Sequence, residues 1–546
     1  MPDRIESQKI ICAGGLNSNE NHLDLSDNDP GVATRLVNFE PSLFGGYRRI
    51  SGYELYKSDH PEVGAGSAEG KILCVAIFKN DALGTTRILA TRKNTGANTY
   101  SFYQYVPLTG WQVISGAPTP ATTDGVKTVQ KIRHAQFNFG AGNQIIFADG
   151  VNNATVYDGT NWKTLNSTNT GGSSSPGGNQ IINAPAVVDV FENHIFLSGD
   201  TSSEAVVAHS APNDPLTWTV AAGGGQLPTG TDVVQIKPFR DNLFIFGTNA
   251  IKKVSVDAGT GDFVVDNVTS NVGCIARDSV LEIGGDLMFL APDGLRPVAG
   301  TSRIGDVELE TISKSIQGAL VDIVENFEMD TLNGVVIRTK SQVRFFVGDD
   351  TIATSDSIGV IGGLSQSTGS IDWEFGTLLG IRASCCTSGY IGTEEFVLHG
   401  DYDGKIYRQE RGKSFNDSDI ISIYATPYLD FGDAGIRKQI RKVNTFLRAE
   451  GPLELNLELS YDWGDYDTAR PSTYTQASAG APTAYGGRNI TYAGANIVYG
   501  GSEKPIVETD VQGSGYSMRV TFVTLGQYDP FSIQGLVIEY SVAGRR

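Results

Sequence analysis

The stretch QIIFADGVNNATVYDG (144–159) reads as a hydrophobic strand, a tight turn at Asp149-Gly150, a second, shorter strand and another Asp-Gly turn. The same plan recurs in NLFIFGTNAIKKVSV (242–256), LAPDGLRPVAG (290–300) and HGDYDGKIYRQ (399–409). Hydrophobic runs closed by Gly, Asp or Asn begin near residues 72, 144, 194, 242, 286, 343 and 396, so after a first gap of about 70 residues they are separated by about 45 to 57. A hydrophobic strand, a turn and a short polar strand at that period is the pattern of β-propeller blades. Seven such runs predict six to eight blades; the competing explanation is a pair of ordinary β-sandwiches with coincidental spacing.

Composition agrees. Glycine accounts for 65 of 546 residues, about 12% against a usual 7% or so, in a chain with 40% hydrophobic residues; such glycines mark turns between many short strands, not disorder. The length exceeds what one hydrophobic core supports, unless repeats share it. The 42 basic and 61 acidic residues leave a net charge of −19 with no acidic tail, which speaks against a basic nucleic-acid-binding module. The segment MPDRIESQK lacks the apolar centre of a signal peptide and no run of 18 apolar residues occurs, so synthesis in a cytoplasm and a soluble product are expected. The five cysteines, Cys12, Cys74, Cys274, Cys385 and Cys386, are odd in number and suit buried small hydrophobes better than a disulfide framework.

The expected fold is all-β. Residues 1–70 form an N-terminal platform segment, 71–420 the propeller, and 421–546 a C-terminal β-sandwich in which LELNLELS (453–460) alternates with period two. One short amphipathic helix is predicted in 306–325 from the spacing of Ile312, Ile316, Leu320 and Ile323. The Ser/Gly/Asn-rich stretch 165–183 reads as an insertion at a blade tip. A Tyr/Gly-rich excursion, 474–501, carries Tyr474, Tyr485, Tyr492 and Tyr499, and spaced tyrosines among glycines suit a protein interface or, alternatively, stacking on carbohydrate.

Catalytic signatures are missing. The six histidines make no HExxH or HxxxH pair, and neither a CxxC, a GxSxG elbow nor a P-loop is present, so no metal or cofactor is expected. SAPNDPLTW (210–218) partly resembles the Asp box of sialidase propellers, itself a structural turn, with Asp214 displaced and proline in place of glycine. Asp401-Tyr402-Asp403-Gly404 opens like a calcium loop but has Gly412 where the closing glutamate belongs, so a turn is the better reading. Acidic pairs such as Asp349-Asp350 and Glu394-Glu395 show no defined separation for glycosidase chemistry.

The most distinctive wording is GGLNSNENHLDLSDNDPGVATRLVNFEPSLFGGYRRISGYE (14–54). Together with ENHIFLSG (192–199), SAPNDPLTW, FRDNLFIFGTNAIKKV (239–254), VGCIARDSV (272–280), LMFLAPDGLRPV (287–298), ISKSI (312–316), LDFGDAGIRKQIRKV (429–443), SYDWG (460–464) and IEYSVAGRR (538–546), it resembles the nozzle and hub proteins of short-tailed bacteriophages, the family of tail tubular protein B and the packaged-DNA stabilisation hub. The 474–501 excursion has no counterpart in that resemblance.

The resemblance implies a non-enzymatic virion protein, assembled in the bacterial cytoplasm as a homo-oligomeric ring of six copies in the phage tail. It would sit below the portal and adaptor, meet tail fibre or needle proteins, retain the genome and release it at the host envelope. DNA would cross the lumen without specific binding, and acidic walls would repel its phosphates within about 8 Å at physiological salt. From the residues themselves, Gly45, Gly46 and Gly52 permit tight turns, and Arg48 and Arg49 are candidates to hold a carboxylate of an adjacent subunit or the adaptor; Tyr485, Tyr492 and Tyr499 are the other candidate contacts. The competing functions are a propeller glycosidase or tailspike-like depolymerase, and a receptor-binding adhesin.

Overall fold

The hydrophobic runs that define the repeat become strands, though not equivalent ones. In the computed structural model, which describes residues 5–42, 45–57, 70–81, 84–140, 142–166, 178–298, 311–349, 351–367, 370–464, 471–478 and 506–545, six of the seven runs are the second strand of their sheet, five of them in small antiparallel sheets and Gln342–Val347 in a larger one. They are Asn143–Ala148, His194–Ser198, Asn242–Gly247, Asp286–Ala291, Gln342–Val347 and Glu394–Gly400. A second strand has neighbours on both edges and packs on both faces, so alternation is lost and a continuous apolar run replaces it. The exception, Ile72–Asn80, is the first strand of its sheet. Its partner Thr85–Lys93 is broken by Thr and Arg, and this accounts for the long first gap.

Six such sheets stand free as propeller blades: 72–113, 133–164, 187–228, 233–269, the three-stranded 281–297, and 385–409. Their first strands succeed one another around an axis, and Cys385–Ile391 packs beside Ile72–Asn80 to close the circle. Between 281–297 and 385–409 the ring is completed by Asn333–Ile337 and the three strands that follow it, which also begin a nine-stranded sheet. The last blade takes its fourth strand, Tyr53–Leu55, from the N-terminal segment through pairs such as Tyr407↔Leu55 and Gln409↔Tyr53. Large aromatics fill the gaps between blades: Phe78, Phe102 and Phe147 with Trp162 between the first two, and a fully buried Trp218 between the second and third. Each such side chain contributes roughly 1.5–3 kcal/mol through burial.

The rest of the chain is a β-sandwich. Its nine-stranded sheet runs from Asn333–Ile337 through Ser370–Leu379, Arg35–Val37, Ile420–Ala425, Met518–Gly526 and Leu453–Tyr461 to Tyr474–Ser478. The opposing sheet of seven strands is built on Ile436–Ala449 and Phe531–Arg545, with Ile5–Ile11, Phe39–Pro41 and Tyr47–Arg49 added from the N-terminal segment. Leu453, Leu455, Leu457 and Leu459 point into the shared core while Glu454 and Glu458 face water, as the alternation requires.

Residues 1–70 therefore do not form a unit of their own. Their strands enter both sandwich sheets and one blade, because each is too short to bury a face alone. The sandwich is likewise broader than 421–546 and shares one sheet with the propeller. A helix, Gln317–Asn326, extends a 3-10 turn at Lys314–Ile316 and buries Ile316, Leu320 and Ile323 as their spacing predicts. A second short helix, His22–Asn28, was not expected; Asn21 caps it by accepting the N–H of Leu23. Of the 165–183 stretch, residues 167–177 lie outside the described residues, and its ends connect two blades instead of capping a hairpin. Among the described residues no helix is long and apolar enough to cross a membrane.

Candidate functional site

Several first strands, and the turns that lead into them, bring polar side chains together on the propeller axis. A cavity of about 180 Å³ there is lined from every side of the ring, by Cys74, Lys131, Arg133, Asp189, Lys237 and Asp278 among others. Asp278 follows Arg277 in a 3-10 turn ahead of the three-stranded blade, inside the VGCIARDSV segment. Its carboxylate accepts two hydrogen bonds from Arg133, at 2.9 and 2.7 Å, and one from Lys131 at 2.7 Å. Burial alone would raise the Asp278 pKa, but the two cations outweigh it and hold the carboxyl well below the usual range. Lys131 also donates to the Leu332 carbonyl, and Lys237 pairs with Asp189 at 2.8 Å. Since Lys131 and Arg133 lead into the second blade and Asp278 into the fifth, these ion pairs bridge the axis.

A second charged cluster joins propeller to sandwich. Glu40, 2% exposed, pairs with Arg48 and Lys340 at 2.7 Å and with Arg344 at 3.2 Å, while Glu410 pairs with both Lys340 and Arg344. Burial pushes the Glu40 pKa up, but Lys340, Arg344 and Arg48 together bring it down to about 2. Neither cluster is marked by a sequence motif: the partners lie up to about 300 residues apart, and only the fold brings them together.

The two candidate arginines are engaged within the chain. Arg48 bridges Glu40 and Glu450, and its pKa is raised because those carboxylates outweigh the cost of burial. Arg49, fully buried, donates to Ser422 Oγ and to the carbonyls of Ile420, Gly526 and Tyr528; burial lowers its pKa to about 10. Within the chain, Arg49 points into the sandwich and Arg48 has two carboxylate partners. Gly45 and Gly46 have φ of +81° and +82°, in keeping with the tight turn. Tyr485, Tyr492 and Tyr499 lie outside the described residues; Tyr474 sits in the edge strand Tyr474–Ser478, where its hydroxyl accepts the N–H of Gln512.

The weaker motifs are turns. Asp214 accepts the Leu216 N–H and the Thr217 hydroxyl, and Trp218 donates its indole N–H to the Pro215 carbonyl. Asp401 accepts the N–H groups of Asp403 and Lys405, with its pKa raised to about 6, first by burial and then by Asp403. Among the described residues no group of three or more His, Cys, Asp or Glu side chains is placed to hold a metal ion. All five cysteines are free; four are buried and Cys386 is partly exposed.

Fold and site together define a β-propeller protein with its axis bridged by ion pairs and a β-sandwich stitched to one side. No protein-family model matches the chain and no curated protein does. Among solved structures, it is similar to the extracellular domain of BT4673 from B. thetaiotaomicron, described in one structure as a one-component system (11% identity, 70% of this chain and 42% of that one, TM-score 0.34) and in another as a hybrid two-component system (10%, 72% and 42%, TM-score 0.34). It is also similar to BBS1N in complex with ARL6DN, at 7% identity over 67% of this chain and all of that one, with a TM-score of 0.38. The chain spans about two-fifths of the length of the two bacterial structures. At such identities and scores these likenesses transfer no activity.

Proposed function

We propose that the chain is a structural virion protein of a short-tailed phage, forming by self-association the nozzle ring through which the genome is retained and released. The observation that carries this reading is where the resembling segments lie. GGYRRISGYE lies nearly 400 residues before IRKQIRKV, and IRKQIRKV nearly 100 before IEYSVAGRR, yet they supply strands of one sheet, through Lys438↔Val542 and through Tyr47↔Ile533 on the strand that carries IEYSVAGRR. Other resembling segments, such as FRDNLFIFGTNAIKKV and LMFLAPDGLRPV, lie in propeller blades, so the shared wording follows the framework of both parts, and none of it falls in a catalytic constellation. The bridged axis fits the same reading, because DNA would pass between copies around a common bore and not through a single propeller. The acidic surface, net −19, would then keep phosphates from adhering.

Native mass spectrometry and electron microscopy of the purified protein, alone and with the adaptor, test this. A ring with a central hole is expected. A monomer under both conditions, or the release of reducing ends from host polysaccharide, refutes it and favours the depolymerase.

A further inference from the structure

Next to the axial cavity, and sharing Lys131 and Arg133 with it, lies a second cavity of about 290 Å³ lined by Lys127, Lys131, Arg133 and Arg277 against only two carboxylates, Asp149 and Asp330. A cationic pocket is unexpected in a chain of net charge −19. Lys131 and Arg133 share the single carboxylate of Asp278, which leaves one positive charge between them. Asp149 is occupied by the N–H groups of Val151 and Asn152, the Asn152 amide and the Tyr100 hydroxyl. Arg277 is left undercompensated. Its one ion pair among the described residues, to Asp330, is long at 3.6 Å, and its buried Nε has no hydrogen-bond partner. Burial and the neighbouring Arg133 charge both lower its pKa. With its Nε lacking an acceptor and its side chain 29% exposed, Arg277 has donor capacity to spare, and an oxyanion supplies acceptors in the planar geometry that Arg favours.

We propose that this cavity is an anion-binding site, with Arg277 as the principal donor and Lys127 at its rim, for a carboxylate or phosphate group carried on a small polar molecule. The site belongs to the propeller alone and stands or falls independently of ring assembly.

Isothermal titration calorimetry on the full chain at low salt tests it, with inorganic phosphate and glucuronate as probes and glucose as the neutral control. Saturable one-to-one binding of at least one anion is expected, weakening as sodium chloride is added. Whether phosphate or glucuronate binds identifies the group. Arg277→Gln should weaken binding by about tenfold or more, the loss of one charged hydrogen bond. Should that variant not fold by near-ultraviolet circular dichroism, Lys127→Gln carries the test, with a smaller but measurable loss. No saturable heat from either anion, equal binding of glucose, or an affinity unchanged in the folded variant overturns the proposal.

Discussion

Replacing Asp278 with Asn should be among the most damaging single substitutions in the propeller, although it changes almost no volume. The carboxylate is the common acceptor for Lys131 and Arg133, which are 7% and 12% exposed, so neither cation can turn to water when its partner is neutralised. Breaking a buried ion pair from one side costs about 3–5 kcal/mol, and an asparagine that keeps one acceptor oxygen should fall near 3 kcal/mol. Of the five tryptophans, Trp111, Trp162 and Trp218 lie in the first three blades and Trp373 and Trp463 in the sandwich, so urea unfolding followed by tryptophan fluorescence reports on the propeller in a Trp373→Phe, Trp463→Phe background. With a slope of about 3 kcal/mol per molar, the midpoint should drop by about 1 M at unchanged slope. The triple variant Lys131→Met, Arg133→Met, Asp278→Leu should recover most of that loss, because an apolar replacement removes the uncompensated charge. A loss below about 1 kcal/mol for Asp278→Asn, the value of an exposed pair, would refute the view that these groups bridge a closed axis.

The Glu40 pKa is depressed, so the stability it provides is present above its unfolded value near 4.5 and lost as pH falls through about 2; Glu40→Gln should remove about 3 kcal/mol at pH 7 and flatten the acid limb of a stability–pH curve. Asp401 has the opposite sign: its pKa is raised to about 6, so its contribution is full below pH 4 and lost as pH rises through 6. Asp401→Asn should therefore look more favourable relative to wild type at pH 8 than at pH 4, by up to about 3 kcal/mol in chemical denaturation. Trp218→Ala opens a cavity between two blades and should cost about 3–5 kcal/mol, read as a lower urea midpoint. Gly46→Ala places a Cβ 2.2 Å from the Ile533 carbonyl at a φ of +82°, and should destabilise by more than about 1 kcal/mol in the same assay.

The repeat was legible because the second strand of a blade is buried on every side, so residues such as Ile145, Ile146 and Phe147 leave a dense apolar run. The first strands were harder to find. Arg133–Asn138 is only partly buried and carries polar groups toward the axis, so it reads as a loop until its neighbours are known. The same property hid the candidate site, for Lys131, Arg133 and Asp278 look like ordinary surface charges in a sequence. The helix at Gln317–Asn326 was visible from Ile316, Leu320 and Ile323, whereas HLDLSDN is too short to show a period. Arg48 and Arg49 stand out in the sequence as an adjacent pair. Alternation within a strand sends adjacent side chains to opposite faces, so one became fully buried and the other partly exposed, each with internal partners.

The strand Ile5–Ile11 pairs with Phe531–Arg545, and its ladder has no other partner among the described residues. During translation at about 5–20 residues per second, that first strand therefore waits roughly half a minute to two minutes for its mate. Throughout that interval its edge is open to the same strand on a neighbouring nascent chain, so ribosome spacing and chaperone access bear on yield as much as the final stability does.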